Sequence, residues 1–95
     1  MINIGVIGCG YWGPNLVRNF AEVPGSRVLA VSDLQPERLA KIHTRYPGVR
    51  ATTDYSELLT DPAIDAVAIA TPVSTHFTMA LQALRAGKHV LWPNH

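Results

Sequence analysis

The sequence predicts an α/β fold, a doubly wound parallel sheet of about five strands with helices on both faces. Short apolar runs rich in branched side chains recur along the chain without in/out alternation, which suits strands covered on both faces. Stretches with helical spacing separate them, and glycine or proline marks most of the boundaries. The resulting βαβαβαβαβ order implies right-handed crossovers and a strand order of 3-2-1-4-5.

The first strand, Ile4-Gly5-Val6-Ile7, ends at Gly8. Leu16, Val17, Phe20 and Val23 fall on one face of the helix that follows, and Pro24-Gly25 ends it. Val28-Leu29-Ala30-Val31 forms the second strand and runs into Ser32-Asp33. Pro36 opens the second helix as an N1 proline, with Leu39, Ala40, Ile42 and His43 following and Pro47-Gly48 closing it. Val49-Arg50-Ala51-Thr52 is a weaker strand that belongs at an edge. Asp54-Tyr55-Ser56-Glu57 has the form of a capping box ahead of Leu58 and Leu59, and Asp61-Pro62 stops that helix. The fourth strand, Ala66-Val67-Ala68-Ile69-Ala70, ends at Thr71-Pro72. The last helix is expected over about residues 74–86, with Phe77, Ala80, Leu81 and Leu84 as its buried face and Gly87 at C′. His89-Val90-Leu91 closes the series as the fifth strand.

The 95 residues are expected to form one domain, spanning residues 1–95. The apolar share of 47% excludes disorder, and a net charge of +1 without a Lys/Arg cluster excludes a nucleic-acid footprint. Cys9 is the only cysteine, so no internal disulfide forms, as suits a reducing cytoplasm. The N-terminus has no basic region ahead of its apolar stretch, and no apolar run is long enough to span a bilayer. A cytoplasmic protein without a membrane partner is expected. His43, His76, His89 and His95 lack metal-ligand spacing with one another and with Cys9, so no metal site is expected.

Gly8-Cys9-Gly10-Tyr11-Trp12-Gly13 fits G-x-G-x-x-G. The spacing alone is weak, but here it directly follows the first strand and opens the first helix. Gly8 permits the tight turn, Gly10 lets a diphosphate approach the backbone, and Gly13 lets the helix pack near the strand. The helix N-terminus offers unpaired amides and partial positive charge, with Tyr11 and Trp12 as the best donors because Pro14 has no N–H. Asp33 ends the second strand 20 residues beyond Gly13, the place of an acid that accepts the adenosine ribose diol. A carboxylate there repels a 2′-phosphate, so NAD is favoured over NADP, with Arg38 close enough in sequence to count against that preference. No Gly-Lys-Ser/Thr follows, which excludes a P-loop. A methyltransferase binding an adenosyl group is a minor rival, since it uses the same loop and acid.

The motif, together with Val31-Ser32-Asp33, Asp54-Tyr55-Ser56-Glu57-Leu58-Leu59, Asp65-Ala66-Val67-Ala68-Ile69-Ala70-Thr71-Pro72 with His76, and Ala83-Leu84-Arg85-Ala86-Gly87-Lys88-His89-Val90-Leu91, resembles the Gfo/Idh/MocA oxidoreductases over nearly the whole chain. The resemblance implies an N-terminal Rossmann domain that binds NAD(P), and a second α/β domain that binds a sugar- or cyclitol-like alcohol. Hydride passes between that alcohol and the nicotinamide. Thr71, Pro72 and His76 match the segment that borders the nicotinamide side of the cofactor. After His-Val-Leu the family continues with an apolar residue and Glu-Lys-Pro, whose lysine helps position substrate. Here Trp92-Pro93-Asn94-His95 stands instead. The expectation is therefore a truncated chain without its substrate domain, which binds a dinucleotide but turns over no substrate, and no catalytic residue is assigned.

The remaining residues have plainer readings. Cys9 fills a small slot in the loop more readily than it acts as a nucleophile, and Tyr11 and Trp12 either wall the phosphate site or contact the second domain, with core packing as the equal alternative. His89 is a packed or capping residue at a strand start. An uncovered fifth strand invites self-association, so a homo-oligomer is expected. A non-catalytic nucleotide-binding or self-associating module is the alternative function.

Overall fold

The computed structural model describes residues 1–8 and 13–92, and the side chains of Pro14 and Leu16 lie outside that description. The elements run β1 (Ile2–Ile7), α1 (Gly13–Ala21), β2 (Ser26–Ser32), α2 (Pro36–Arg45), β3 (Arg50–Thr52), α3 (Ser56–Thr60), β4 (Ala66–Ile69), α4 (Val73–Arg85) and β5 (His89–Leu91). All pairings are parallel, in one five-stranded sheet of order β3-β2-β1-β4-β5. The predicted doubly wound Rossmann topology is the one the chain adopts.

Two apolar clusters sandwich the sheet. Val17 of α1 and Leu39 and Ile42 of α2 pack with Ile4, Val6, Val28, Val31 and Ala68 on one face. Leu58 of α3 and Ala83 of α4 pack with Ile7, Ala30, Ile64, Val67 and Ile69 on the other. This two-sided burial explains why β1, β2 and β4 read as continuous apolar runs. Each fully buried Val, Leu or Ile is worth roughly 1.5–3 kcal/mol. A register shift between Ile4 and Gly5 pairs Ile4 with Val28 but Gly5 with Ala30. The bulge puts Val28 and Val31 on the same face, three residues apart.

Boundary residues act largely as expected. Pro36 stands at the start of α2, which Gln35 precedes in extended conformation. Gly87 takes φ +82° beyond the end of α4, where an L side chain is strained. β3 is the short edge strand that its sequence suggests.

Three expectations are corrected. α1 ends at Ala21, so Val23 is not on its face and is 49% exposed. Ser26 terminates the helix by giving its hydroxyl to the carbonyls of Phe20 and Val23. The buried face of α4 is also rotated from the expected one. Ala83 is fully buried, with Met79 and Ala80 beside it, whereas Phe77 is 79% and Leu84 60% exposed. Small alanines let the helix lie close to the sheet, and the bulky residues point away. The capping box is not reciprocal either. Asp54 Oδ1 accepts both the amide and the hydroxyl of Ser56, but the Glu57 carboxylate accepts the Thr52 hydroxyl instead of turning back to Asp54.

Candidate nucleotide-binding site

Backbone bonds align the carboxyl ends of four strands. The Asp33 amide donates to Thr52 O at 3.1 Å, the Gly8 amide to Ser32 O at 2.8 Å, and the Ala70 amide to Ile7 O at 2.8 Å. From this shared rim the chain leaves β1 toward α1 on one face of the sheet and leaves β4 toward α4 on the other. The gap between β1 and β4 is thus the topological switch point, where ligands of such sheets bind.

Gly8 sits at that gap with φ +83°, and a Cβ built on it would lie 2.6 Å from Thr71 Cγ2 and 3.1 Å from Thr71 N. Both the backbone angle and the approach of the β4–α4 loop therefore demand glycine. Cys9, Gly10, Tyr11 and Trp12 lie outside the described residues, so their predicted roles are carried by sequence alone. α1 begins at Gly13 with no acidic residue in its first turn, which leaves the partial positive charge of its N-terminus unopposed from within the helix.

Asp33 lies just past β2 and is 8% exposed. Its Oδ1 accepts the Gln35 amide at 2.8 Å, and its Oδ2 lies 3.7 Å from Arg38 Nη1 at the start of α2. The arginine side chain is half-exposed, and a solvated pair of this kind contributes about 0–1 kcal/mol. Beside Asp33, the Ser32 hydroxyl is buried without a hydrogen-bond partner among the described residues. Nothing in the order of residues distinguishes a satisfied serine from an unsatisfied one, so sequence alone does not mark Ser32.

Thr71, Pro72 and His76 come together at the other side of the gap. Thr75 Oγ1 donates to Pro72 O at 2.7 Å, and the Thr71 hydroxyl lies 2.6 Å from Thr75 Oγ1 and 3.3 Å from Met79 Sδ. His76 Nε2 lies 2.6 Å from Thr71 O. A carbonyl only accepts, so Nε2 carries the proton of this bond. The Trp92 ring stands 5.0 Å from that of His76 at 36°, at the end of β5. In the sequence Trp92 reads as part of a departure from the family pattern, yet its place after the last strand brings it to this rim.

Two other groups lie at the opposite end of the sheet. His89 begins β5 and is exposed, so it is neither packed nor part of the rim. Lys88 is buried and donates to the carbonyls of Asp61 and Ile64, both at 2.6 Å. It fastens the α3–β4 connection and takes no part in the site. Among the described residues no cluster of His, Cys, Asp or Glu is arranged to hold a metal ion, and no helix is long and apolar enough to cross a membrane.

A doubly wound sheet with a glycine turn at its switch point and an acid after β2 defines the class of NAD(P)-binding Rossmann domains. Residues 2–92 match the Gfo/Idh/MocA family, described as an oxidoreductase family with an NAD-binding Rossmann fold, and the chain belongs to that family. It is 42% identical over 91 residues to inositol 2-dehydrogenase 2 of Saccharopolyspora erythraea, covering 95% of this chain and 27% of that protein. The 3-ketoreductase KijD10 of Actinomadura kijaniata, solved with NADP and TDP-benzene, superposes with a TM-score of 0.86 at 32% identity, over 96% of this chain and 28% of that one. An oxidoreductase of Agrobacterium radiobacter, solved with NAD+, L-tartaric acid and magnesium, gives 0.86 at 27% identity, over 94% and 26%. The chain therefore spans about a quarter of the length of these relatives.

Proposed function

We propose that residues 1–95 act as a single dinucleotide-binding domain of an oxidoreductase that moves hydride between a sugar- or cyclitol-like alcohol and NAD. The diphosphate lies on the turn from Gly8 through Gly10 to Gly13, against the amides of Tyr11 and Trp12. Asp33 takes the ribose diol, and Thr71, Pro72 and His76 border the nicotinamide. The observation that carries this reading is the contact of Gly8 with Thr71, where even a methyl group would collide. It brings the glycine turn and the β4–α4 loop to the two sides of one crevice, the arrangement a dinucleotide bridges. The Ser32 hydroxyl beside Asp33, buried without a partner among the described residues, adds a polar atom suited to a ligand.

NAD is favoured over NADP because a 2′-phosphate would meet the buried Asp33 carboxylate. When bound, the cofactor supplies the hydride-accepting ring. The chain's own part is to hold and orient it. The alcohol class is supported by the inositol dehydrogenase and ketoreductase among its relatives. These 95 residues bind without turnover, because Trp92-Pro93-Asn94 stands where the family pattern has an apolar residue followed by Glu-Lys. The cytoplasm is the proposed location.

Titration of nicotinamide fluorescence tests the reading. NADH is expected to bind saturably and to be displaced by NAD but not by S-adenosylmethionine. Binding of S-adenosylmethionine without NADH would instead favour the methyltransferase assignment. Incubation with NAD and inositol should yield no NADH. The exposed Val73, Phe77, Leu84 and Trp92 favour a second reading, a self-associating module. Under it a homo-oligomer forms, and a strictly monomeric mass by light scattering at high concentration removes it.

A further inference from the structure

We propose that Trp92 discriminates between the two redox states of the bound cofactor, its indole face receiving the cationic nicotinamide of NAD+ and holding it more tightly than the neutral ring of NADH. This inference rests on the dinucleotide reading above.

Trp92 is tied to the crevice by a short series of contacts. Gly8 opens the glycine turn and abuts Thr71, where an added Cβ would stand 2.6 Å from Cγ2. His76 Nε2 donates to the Thr71 carbonyl at 2.6 Å, and the His76 ring stands 5.0 Å from the Trp92 ring. Trp92 directly follows β5, which lies parallel beside β4, so the indole sits at the same end of the sheet as the β4–α4 loop. In the strand order it is on the far side of β1 from β2 and Asp33, which is the nicotinamide side. The residue is 52% exposed, so aromatic surface beyond its contact with His76 stays open to a ligand. A tryptophan that served only to fill a core would be covered.

Charge decides which form this surface prefers. The nicotinamide of NAD+ carries a formal positive charge, and the added hydride of NADH removes it. Indole has the best side-chain face for a cation, which it attracts within about 6 Å of its centroid. Residues 71–76 bring no carboxylate to this side, and α4 has no acidic residue in its first turn. The partial positive charge at the start of α4 disfavours a cation there. On the β4–α4 segment and the end of β5, the indole is thus the group that answers the charge. Apolar stacking alone would serve both forms equally, whereas attraction to the ring quadrupole serves only the oxidised one.

The test is calorimetric titration of the 95-residue chain with NAD+, NADH and ADP-ribose, which lacks the nicotinamide. Trp92→Leu keeps an apolar side chain, Trp92→Phe keeps a weaker aromatic face, and Phe77→Leu removes a different exposed ring on α4. In Trp92→Leu the affinity ratio of NAD+ to NADH is expected to fall roughly threefold to tenfold, with ADP-ribose changed by less than about twofold. Trp92→Phe should recover part of that ratio, and Phe77→Leu should leave it where it was. Equal losses for NAD+ and NADH would overturn the proposal by making Trp92 a plain apolar wall. A matching loss for ADP-ribose would overturn it by making Trp92 a support for the fold, and unchanged affinities would overturn it outright. Each of these leaves the dinucleotide reading standing. A chain that binds neither NAD+ nor NADH overturns both.

Discussion

At Gly8 two constraints coincide in one residue. Its φ of +83° disfavours any L side chain by about 1–2 kcal/mol, and a Cβ would also press on Thr71 Cγ2 and on the Thr71 backbone nitrogen. Gly8→Ala is therefore expected to lower stability by more than about 2 kcal/mol in urea unfolding and to weaken NADH binding. A loss below about 0.5 kcal/mol would show that the loop yields freely. Ser32 predicts the opposite sign. Its buried hydroxyl lacks a partner among the described residues, and desolvating such a group costs about 1–3 kcal/mol. Ser32→Ala should raise the urea midpoint of the nucleotide-free chain by the equivalent of about 1 kcal/mol. A lowered midpoint would mean that the hydroxyl is bonded. Gly8 and Asp33 were legible in the sequence because local geometry imposes them, one by its backbone angle and the other by its place at a strand end. That the Ser32 hydroxyl lacks a partner among the described residues was not, since it depends on what neighbouring elements bring into contact.

Helix α4 shows where periodicity loses its power. Its spacing predicts a buried face of Phe77, Ala80, Leu81 and Leu84, whereas the structure buries Ala83 with Met79 and Ala80 packed beside it. Ala80 belongs to both faces, but the bulky Phe77 and Leu84 turn to solvent, because close approach to the sheet needs alanine. Strand order and element sequence survive this ambiguity, being fixed by alternation and by Gly/Pro boundaries rather than by any single helix face. The rotation is testable. Leu84→Ala should cost less than about 0.5 kcal/mol, while Ala83→Leu should overpack the sheet face and cost about 1–3 kcal/mol. The reverse ranking in urea melts would restore the expected face. The start of α3 makes a further prediction. The hydroxyl of Ser56, and then its amide, hold the Asp54 carboxyl below the usual aspartate range. A carboxyl with a lowered folded-state pKa adds stability that is present above its unfolded value and lost as pH falls through the folded one. Asp54→Asn should therefore flatten the loss of stability below about pH 4 and leave its slope near neutrality unchanged. An unaltered acid limb would place the titration elsewhere.

For the whole molecule, the crevice joins parts that the sheet otherwise keeps apart. The first cluster is built on α1 and α2, the second on α3 and α4, and the strands β1, β2 and β4 between them all end at the rim that the cofactor is proposed to occupy. A ligand holding Asp33, the glycine turn and Thr71 at once would oppose separation of the two layers, so its binding energy should appear as global stability. A ligand that binds only the folded state adds about 2.7 kcal/mol at 100 times its dissociation constant. For a domain of 95 residues, each kcal/mol moves the melting temperature by about 4–8 °C. NADH at that excess should then raise the calorimetric Tm by about 10–20 °C in a single transition. S-adenosylmethionine should leave it in place, and Gly8→Ala should blunt the response by disturbing the point where the glycine turn meets the β4–α4 loop. A saturating NADH concentration that shifts nothing would break the link between this crevice and the fold. A transition that splits in two would show that the layers unfold separately and that the ligand grips only one of them.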